Sequence, residues 1–375
     1  MKRALVIAAA LSLVGCRNWE EAYKQAFDAG TAVTGGGGAT GGGSTGGGAT
    51  GGGGGAMGGG GGAMGGGGAM GGGGGGPVDA GPCGGNWCFF SQGITVFEAT
   101  QGVYAVSPNE AYVTTYGARM QYWNGTTWST RSISGSSMIP QAVWGFANKV
   151  IVGGDNGESY FGPPFGQSQS LMYSGFNDFN AIHGLADGGS IYAAADWSVL
   201  RLDNFNVWAA MTIPPQSPSG AKLRGIAVLS DTDMWAGGTA GNVLHSDDGA
   251  NWSRLDAGVT ENIRRVWANN ANDVWFVGGS GLVLRWNGTD FVKDYCPVCG
   301  DIWGVWGRGS NDMWLLDSDL NLVHYDGGTY TPLPVLPPVA IADFYPTGLY
   351  GAGDRDLFLS GNLPDGGGGA LHLRR

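Results

Sequence analysis

The sequence predicts an all-β chain folded as a seven-bladed propeller of four-stranded antiparallel blades, and three observations predict it. A unit of about 40 residues recurs along residues 110–375. Within each unit, short segments alternate apolar with polar or small residues at period 2, the pattern of half-buried strands. Gly-rich turns and Asx-Gly hairpin signals separate those segments. One small sheet of this length cannot bury both faces alone, so copies stack around an axis.

The unit is clearest in NDVWFVGGSGLVLRWNGTDF, residues 272–291. Asp273 to Val277 and Leu282 to Trp286 read as the second and third strands, and IRRVWA (263–268) supplies the first. Asn287-Gly288 predicts a type I′ turn into the fourth strand, because both central residues of that turn need positive φ. TDMWAGGTAGNVLHSDDGANW (232–252), NDMWLLDSDLNLVHYDGGTY (311–330) and EAYVTTYGARMQYWNGTTW (110–128) align with it without gaps through the second and third strands. Weaker copies occupy 150–162, 190–204 and 356–375. With Trp275 as marker, the series runs Tyr112, Val150, Ile191, Trp235, Trp275, Trp314 and Phe358, which gives seven blades.

The seventh copy stops at ALHLRR, after its third strand. At the other end, Gly84-Gly85-Asn86-Trp87 repeats the Gly-x-x-aromatic spacing of Gly125 to Trp128 and leads into Cys88 to Phe97. The N-terminal segment is therefore expected to close the ring as the outer strand of the last blade, antiparallel to Ala370 to Leu373. Closure of this kind leaves no unpaired sheet edge there.

The unit resembles the degenerate Asp-box (BNR-like) repeats of bacterial sialidase-like propellers and of photosystem-assembly propellers, over residues 87–375. In that family the hairpin between third and fourth strands carries Ser or Thr, Asp, Gly and Trp at fixed offsets. Residues His245 to Trp252 keep Asp247, Gly249 and Trp252, with His245 where Ser or Thr is usual. The other hairpins keep only the Gly-to-aromatic spacing. The resemblance implies the propeller fold and carries over no activity.

Upstream of the repeats the composition changes twice. Met1-Lys2-Arg3, the apolar run Ala4 to Leu13 and the small-residue site before Cys16 form a signal peptide, residues 1–15. Leu13-Val14-Gly15-Cys16 resembles a bacterial lipobox, which implies acylation of Cys16 and anchoring to a membrane. Residue 17 is Arg rather than the Asp that retains lipoproteins at the inner membrane, so a cell-envelope location with the outer membrane favoured is expected. Residues 16–34 form a lipidated stub and 35–82 a Gly-rich tether, followed by the propeller at 83–375. The 42 residues from 35 to 76 are Gly runs interrupted by Ala-Thr, Ser-Thr and Ala-Met pairs and span ~35 Å on average as a random coil.

The formal net charge is −11 and becomes −13 when Lys2 and Arg3 leave with the signal peptide. Such an acidic chain excludes a nucleic-acid partner, whose phosphates demand Lys and Arg.

Beyond Cys16, the cysteines form two close pairs, Cys83/Cys88 and Cys296/Cys299. In an exported protein these read as local disulfides, with a shared zinc site or a Cys-Pro-Val-Cys redox pair as competing readings. His245, His324 and His372 share one third-strand position with Tyr122, Arg201 and Arg285, so they point to different places around the ring and share a structural role. Asp317-x-Asp319-x-Asn321 begins like a calcium loop but has Leu322 at the Gly position, and reads as a turn. No cofactor or metal is expected.

Arg224 and Arg264 fall at equivalent first-strand positions near the axis, with Trp303 at that position in the next blade. A sialidase would place an arginine cluster there, yet the Arg-Ile-Pro signature and the paired acid and nucleophile are missing. Residues 160–179 and 208–220 are long aromatic and Pro-rich excursions that the repeat does not require, and Asp196-Trp197 puts a Trp in a turn. Tyr173, Phe176, Phe179 and Trp197 are the candidate binding surface, with inter-blade packing as the competing reading. The sequence thus favours a tethered, non-catalytic binding module for an envelope or extracellular protein, with glycan binding or a sialidase-like glycoside hydrolase as the runner-up.

Overall fold

A computed structural model describes residues 90–374, apart from 92–94, 134–137, 147–148, 164–168, 205, 217, 320, 335–344, 354–355 and 363–366. The signal peptide, Cys16, the tether and the Cys83/Cys88 pair lie outside these residues. The described chain forms seven antiparallel sheets, each a meander of four strands in chain order, save that the seventh borrows its outer strand. Blade 5 is typical, with Ile263–Asn270, Asp273–Gly278, Leu282–Trp286 and Phe291–Tyr295 from inside to outside.

The ring closes as the sequence predicts. Gly367–Arg374, the third strand of blade 7, receives Thr95–Glu98 through the pairs Thr95 with Ala370 to Glu98 with Gly367. Phe90–Ser91 continues the outer strand against Leu373 and Arg374. Both pairings are antiparallel, and they join the first described strands to the last.

Two markers shift by one residue. Trp235, Trp275 and Trp314 each face the third-strand residue His245, Arg285 or His324. The residues in that register in blades 2 and 3 are Ile151 and Tyr192, not Val150 and Ile191. Side chains alternate between faces, so a one-residue slip moves the marker to the wrong side of the sheet.

The hairpin at Asn287-Gly288 also differs from its expected type I′ form. Trp286 pairs with Phe291, leaving a four-residue loop in which Gly288 has φ 98° and Asn287 is not in the positive-φ region. The Asn287 side chain organises it by accepting from the Thr289 and Asp290 amides, each at 2.9 Å. Asn124, Asp248 and Asp326 cap their hairpins in the same way. A local side-chain acceptor two residues before the amide therefore decides the turn. In blade 4 the working carboxylate is Asp248, one residue after the Asp247 that the Asp-box spacing selects; its bonds from Asn251 and Ala250 hold its pKa down at about 2.

The hydrophobic core lies between blades. Trp235 and Val243 of blade 4 pack with Val274, Phe276, Leu282 and Leu284 of blade 5, and an equivalent cluster fills every other interface, including blade 7 against blade 1. Bulky rings need space on the facing strand: a Cβ on Gly351 of blade 7 would lie 2.1 Å from the Trp306 ring of blade 6.

The Trp markers of blades 4 and 5 are locked by carboxylates of their own blades, and the facing third-strand residues of blades 4 to 7 bond the same acidic position. Asp233 accepts from Trp235 Nε1 and His245 Nε2, each at 3.0 Å. Asp273 does the same for Trp275 and Arg285, Asp312 bonds His324, and Asp356 bonds His372. The three histidines thus hold their own blades together and do not converge.

His183, on the inner strand of blade 3, accepts a hydrogen bond from the Val228 amide through Nδ1 at 3.1 Å. Burial pushes its pKa down from 6.5 to about 4. The folded state keeps the ring neutral while the unfolded chain protonates it below pH 6.5, so stability falls as pH drops from 6.5 to about 4. Because the residue keeps some accessible area, the expected loss is about 2 kcal/mol rather than the ~3 kcal/mol of the full shift. Melting curves of wild type and His183→Gln across that range check it: the difference between them must shrink or reverse as pH falls.

Candidate functional site

Every inner strand carries an extra residue near its start. Register shifts fall between Thr100 and Gly102, Pro140 and Ala142, Phe179 and Ala181, Leu223 and Gly225, Ile263 and Arg265, Ile302 and Gly304, and Pro346 and Gly348. A bulge re-aims a side chain out of the sheet. The seven bulged residues are Gln101, Gln141, Asn180, Arg224, Arg264, Trp303 and Thr347. The first six of them line one cavity of about 340 Å³ at the mouth of the central channel, together with Thr239, Asn262, Ile263 and Arg265.

The ring is polar and asymmetric. Arg224 donates to Asn180 Oδ1 at 2.6 Å, and Asn180 donates to Asp196 Oδ1 at 3.1 Å. Arg264 lies 4.0 Å from the Trp303 ring centroid and donates to Asp301 at 2.7 Å. Asp301 also accepts from the Ser280 amide at 2.8 Å, and these bonds lower its pKa. That second bond is a recurrent latch between blades: Asn262 accepts from Ala240, and Asp178 from Asn156, in the same way. All three donors have positive φ. The turns they belong to press closely on the next blade, since a Cβ on Gly241 (φ +68°) would lie 1.9 Å from Val259 O.

Arg265 is the feature that the sequence pattern did not single out. The equivalent position in the other blades is Gly102, Ala142, Ala181, Gly225, Gly304 or Gly348. Arg265 reaches from blade 5 to blade 7, donating to Thr347 O at 2.9 Å, and also bonds Arg264 O at 2.9 Å. Desolvation, then Arg264 and Arg224, push its pKa down to about 10, so it remains charged at neutral pH. A column of Gly and Ala broken by one Arg is the signal that could have found it.

The four aromatic candidates divide. Phe179 is fully buried, packed against Trp208 with the rings tilted and their centroids 5.3 Å apart, and leaves the candidate surface. It opens the inner strand of blade 3, where strand alternation turns it into the sheet interface. Tyr173 is half-buried against Phe179 and supports the loop. Phe176 is 84% exposed and Trp197 47% exposed. Part of the excursion is structural, because Met172 bridges to Val207 and ties blade 2 to blade 3. Trp197 donates to Gly220 O at 3.3 Å, and Lys222 lies 5.0 Å from its ring centroid while pairing with Asp196 at 3.1 Å. Asp196 thus links Trp197 to Asn180 and so to the cup.

The remaining candidates resolve locally. Asp317 is buried and accepts from the amides of Asp319, Asn321 and Gly300, so its carboxylate is taken up by a turn. Cys296 and Cys299 stand with Cα atoms 5.3 Å apart in the connection from blade 5 to blade 6, a separation that suits a disulfide.

No protein-family model matches the chain. A stretch of 123 residues is 30% identical to the photosystem II assembly lipoprotein Ycf48 of Picosynechococcus sp., covering 32% of this chain and 35% of that protein. The match therefore spans about a third of the curated relative's length. Among solved structures, YCF48 from Cyanidioschyzon merolae superposes with a TM-score of 0.59 at 14% identity, over 76% of this chain and 98% of that one. YCF48 bound to D1 peptide gives 0.61 at 13% identity over 76% and 96%, and the WD40 propeller domain of Doa1 gives 0.60 at 10% over 76% and 97%. At these identities the superpositions show a shared propeller fold.

Proposed function

We propose that the chain is a cell-envelope lipoprotein whose propeller is a non-catalytic docking module for an envelope or extracellular protein. The observation that carries this reading is the channel mouth: a polar cup, linked through Asn180, Asp196 and Lys222 to the exposed Trp197, whose described lining holds no Asp or Glu. Glycoside hydrolysis needs a carboxyl pair at the reacting bond, and this cup supplies none. A glycan would use an aromatic platform, but the Trp303 ring already carries the Arg264 guanidinium. The related assembly lipoprotein and the propeller bound to a peptide support protein binding by this architecture.

The anchor belongs to the same proposal. Acylated Cys16 holds the chain at the membrane, the outer one favoured, and the Gly tether lets the propeller search a radius of tens of ångströms. Cys296–Cys299 and Cys83–Cys88 are proposed as local disulfides, which non-reducing peptide mapping checks directly.

The test uses the full chain in its own envelope. Wild type is expected to fractionate with membranes and to cross-link to a defined protein, whereas Cys16→Ser loses the membrane fraction. Phe176→Ala with Trp197→Ala is expected to weaken partner capture at least tenfold without moving the melting temperature, in line with exposed aromatic anchors. Release of sugar from envelope glycans by the purified protein would overturn the non-catalytic reading.

A further inference from the structure

The connection from blade 5 to blade 6 holds a cysteine pair that docking at the channel mouth does not use. Cys296-Pro297-Val298-Cys299 follows directly on the outer strand Phe291–Tyr295, with the Cα atoms of the two cysteines 5.3 Å apart. The two residues differ in access. Cys296 is buried with Trp275, Val283 and Ile302 between blades, and its amide donates to Gly281 O at 2.9 Å. Cys299 packs against the same cluster but keeps part of its surface in water, beyond the exposed Pro297 and Val298. Val292, Tyr295 and Val298 are three of the nine large apolar side chains exposed among the described residues, and they fall within seven positions. Single exposed apolar residues are ordinary, but a concentration of them marks a contact surface.

A bond between these cysteines closes a very short loop, so it removes little entropy from the unfolded chain and adds little to stability. The connection is held without it. The Gly300 amide donates to Asp317 Oδ2 at 3.0 Å, the Ser318 amide to Asp301 O at 2.7 Å, and the Ser280 amide to Asp301 Oδ1 at 2.8 Å. With the backbone fixed on both sides, the two sulfurs stay within reach of each other when the bond is broken, and the bond can re-form.

We propose that Cys296-Pro297-Val298-Cys299 is a thiol–disulfide exchange site, attacked at Cys299 by a dithiol protein that docks on the exposed apolar segment around it. Exchange runs through the sulfur that a thiolate can reach, and access selects Cys299. The partner's first thiolate attacks Cys299 Sγ, the Sγ–Sγ bond breaks, and its electron pair leaves on Cys296 Sγ. The partner's second thiolate then attacks the partner sulfur of the mixed disulfide, and Cys299 leaves as a thiolate. Two electrons pass to this chain, the two protons of the partner's thiols end on Cys296 and Cys299, and the partner becomes the disulfide. The site stands apart from the surface at Trp197 and Phe176 and adds a second class of partner.

Full-length protein purified without reductant is mixed under native conditions with reduced thioredoxin as the dithiol probe, and free thiols are alkylated and mapped by peptide mass. The probe is expected to open the 296–299 bond within minutes, leaving the melting temperature less than about 5 °C below that of the closed form. Thioredoxin whose resolving cysteine is replaced by serine is expected to stay joined to the chain, at Cys299 at least tenfold over Cys296. Val298→Asp, a change at an exposed position, is expected to slow the reaction with thioredoxin at least fivefold and to leave the rate with dithiothreitol unchanged. Reduction only in denaturant, joining through Cys296, a larger fall in melting temperature, or two free thiols in the untreated protein overturns the inference. Equal rates of Val298→Asp and wild type with thioredoxin, or equal slowing with both reductants, overturn it as well, because the apolar segment then recruits nothing.

Discussion

A chain lacking residues 83–98 is expected to melt roughly 10–15 °C below wild type, whereas deletion of the Gly-rich residues 35–76 leaves the melting temperature unchanged. The first deletion removes the two N-terminal strands that pair with Gly367–Arg374 and leaves Asp356–Asn362 as its one partner among the described strands. That third strand carries Ala370, Leu371 and Leu373, all buried, and it would become an open edge. Six residue pairs are lost. At about 1 kcal/mol of net stability for each lost backbone bond, the cost is on the order of 5 kcal/mol, a large part of a typical folding free energy. Blade 7 also closes the ring against blade 1, where Phe358 packs with Trp123 and Ala111, so the damage spreads to a second interface. Differential scanning calorimetry of the two truncations decides the matter. Equal melting would mean that the N-terminal strands contribute nothing to closure.

Asp273→Ala is expected to cost about 2–4 kcal/mol, as the loss of a buried carboxylate that satisfies several donors does. Its carboxylate is buried and receives four donors: Trp275 Nε1 and Arg285 Nε at 2.8 Å, Ser310 Oγ at 2.9 Å and Asn269 Nδ2 at 3.2 Å. Ser310 belongs to the connection leaving the inner strand of blade 6, so this carboxylate also joins two blades. Removing it leaves the buried Trp275 indole N–H without its acceptor and takes the carboxylate from the partly exposed Arg285 and from Ser310. The matched change Asp233→Ala removes bonds to Trp235 and His245 alone, from a side chain that is 21% exposed. About 1–2 kcal/mol is expected there. Chemical denaturation of both variants gives the comparison, and equal losses would show that the bond between blades carries no weight.

The repeats that are legible in the sequence are those whose aromatic marker survives. Trp235, Trp275 and Trp314 announce themselves, and the blades around them fall into register from the pattern alone. Blades 2 and 3 replace that ring by Ile151 and Tyr192 beside other apolar residues, so local pattern does not fix which of two neighbours faces the core. Asx-Gly locates the hairpins but not their type, because Asn287 and its counterparts bond amides within the loop and override the preference of the dipeptide.

Of the candidate site, the placement of Arg224, Arg264 and Trp303 follows from aligning the repeats, since a bulge recurs at one strand position. Phe179 and Phe176 look alike in sequence, yet one is fully buried and the other almost fully exposed. The difference is that Phe179 has entered the inner strand of blade 3 and Phe176 has not.

What the sequence determined by itself was the period, the strand order, the blade count and the closure of the ring, because these follow from local alternation and from a missing last strand. Only the tertiary structure decided which side chains meet. Six residues spaced about 40 apart line one cavity, and a single Arg265 reaches from blade 5 to blade 7 beside them. Convergence is a property of the closed ring: each blade specifies its own strand pattern, but the distance across the channel, and hence the shared field of three guanidinium groups, exists only when all seven blades are in place.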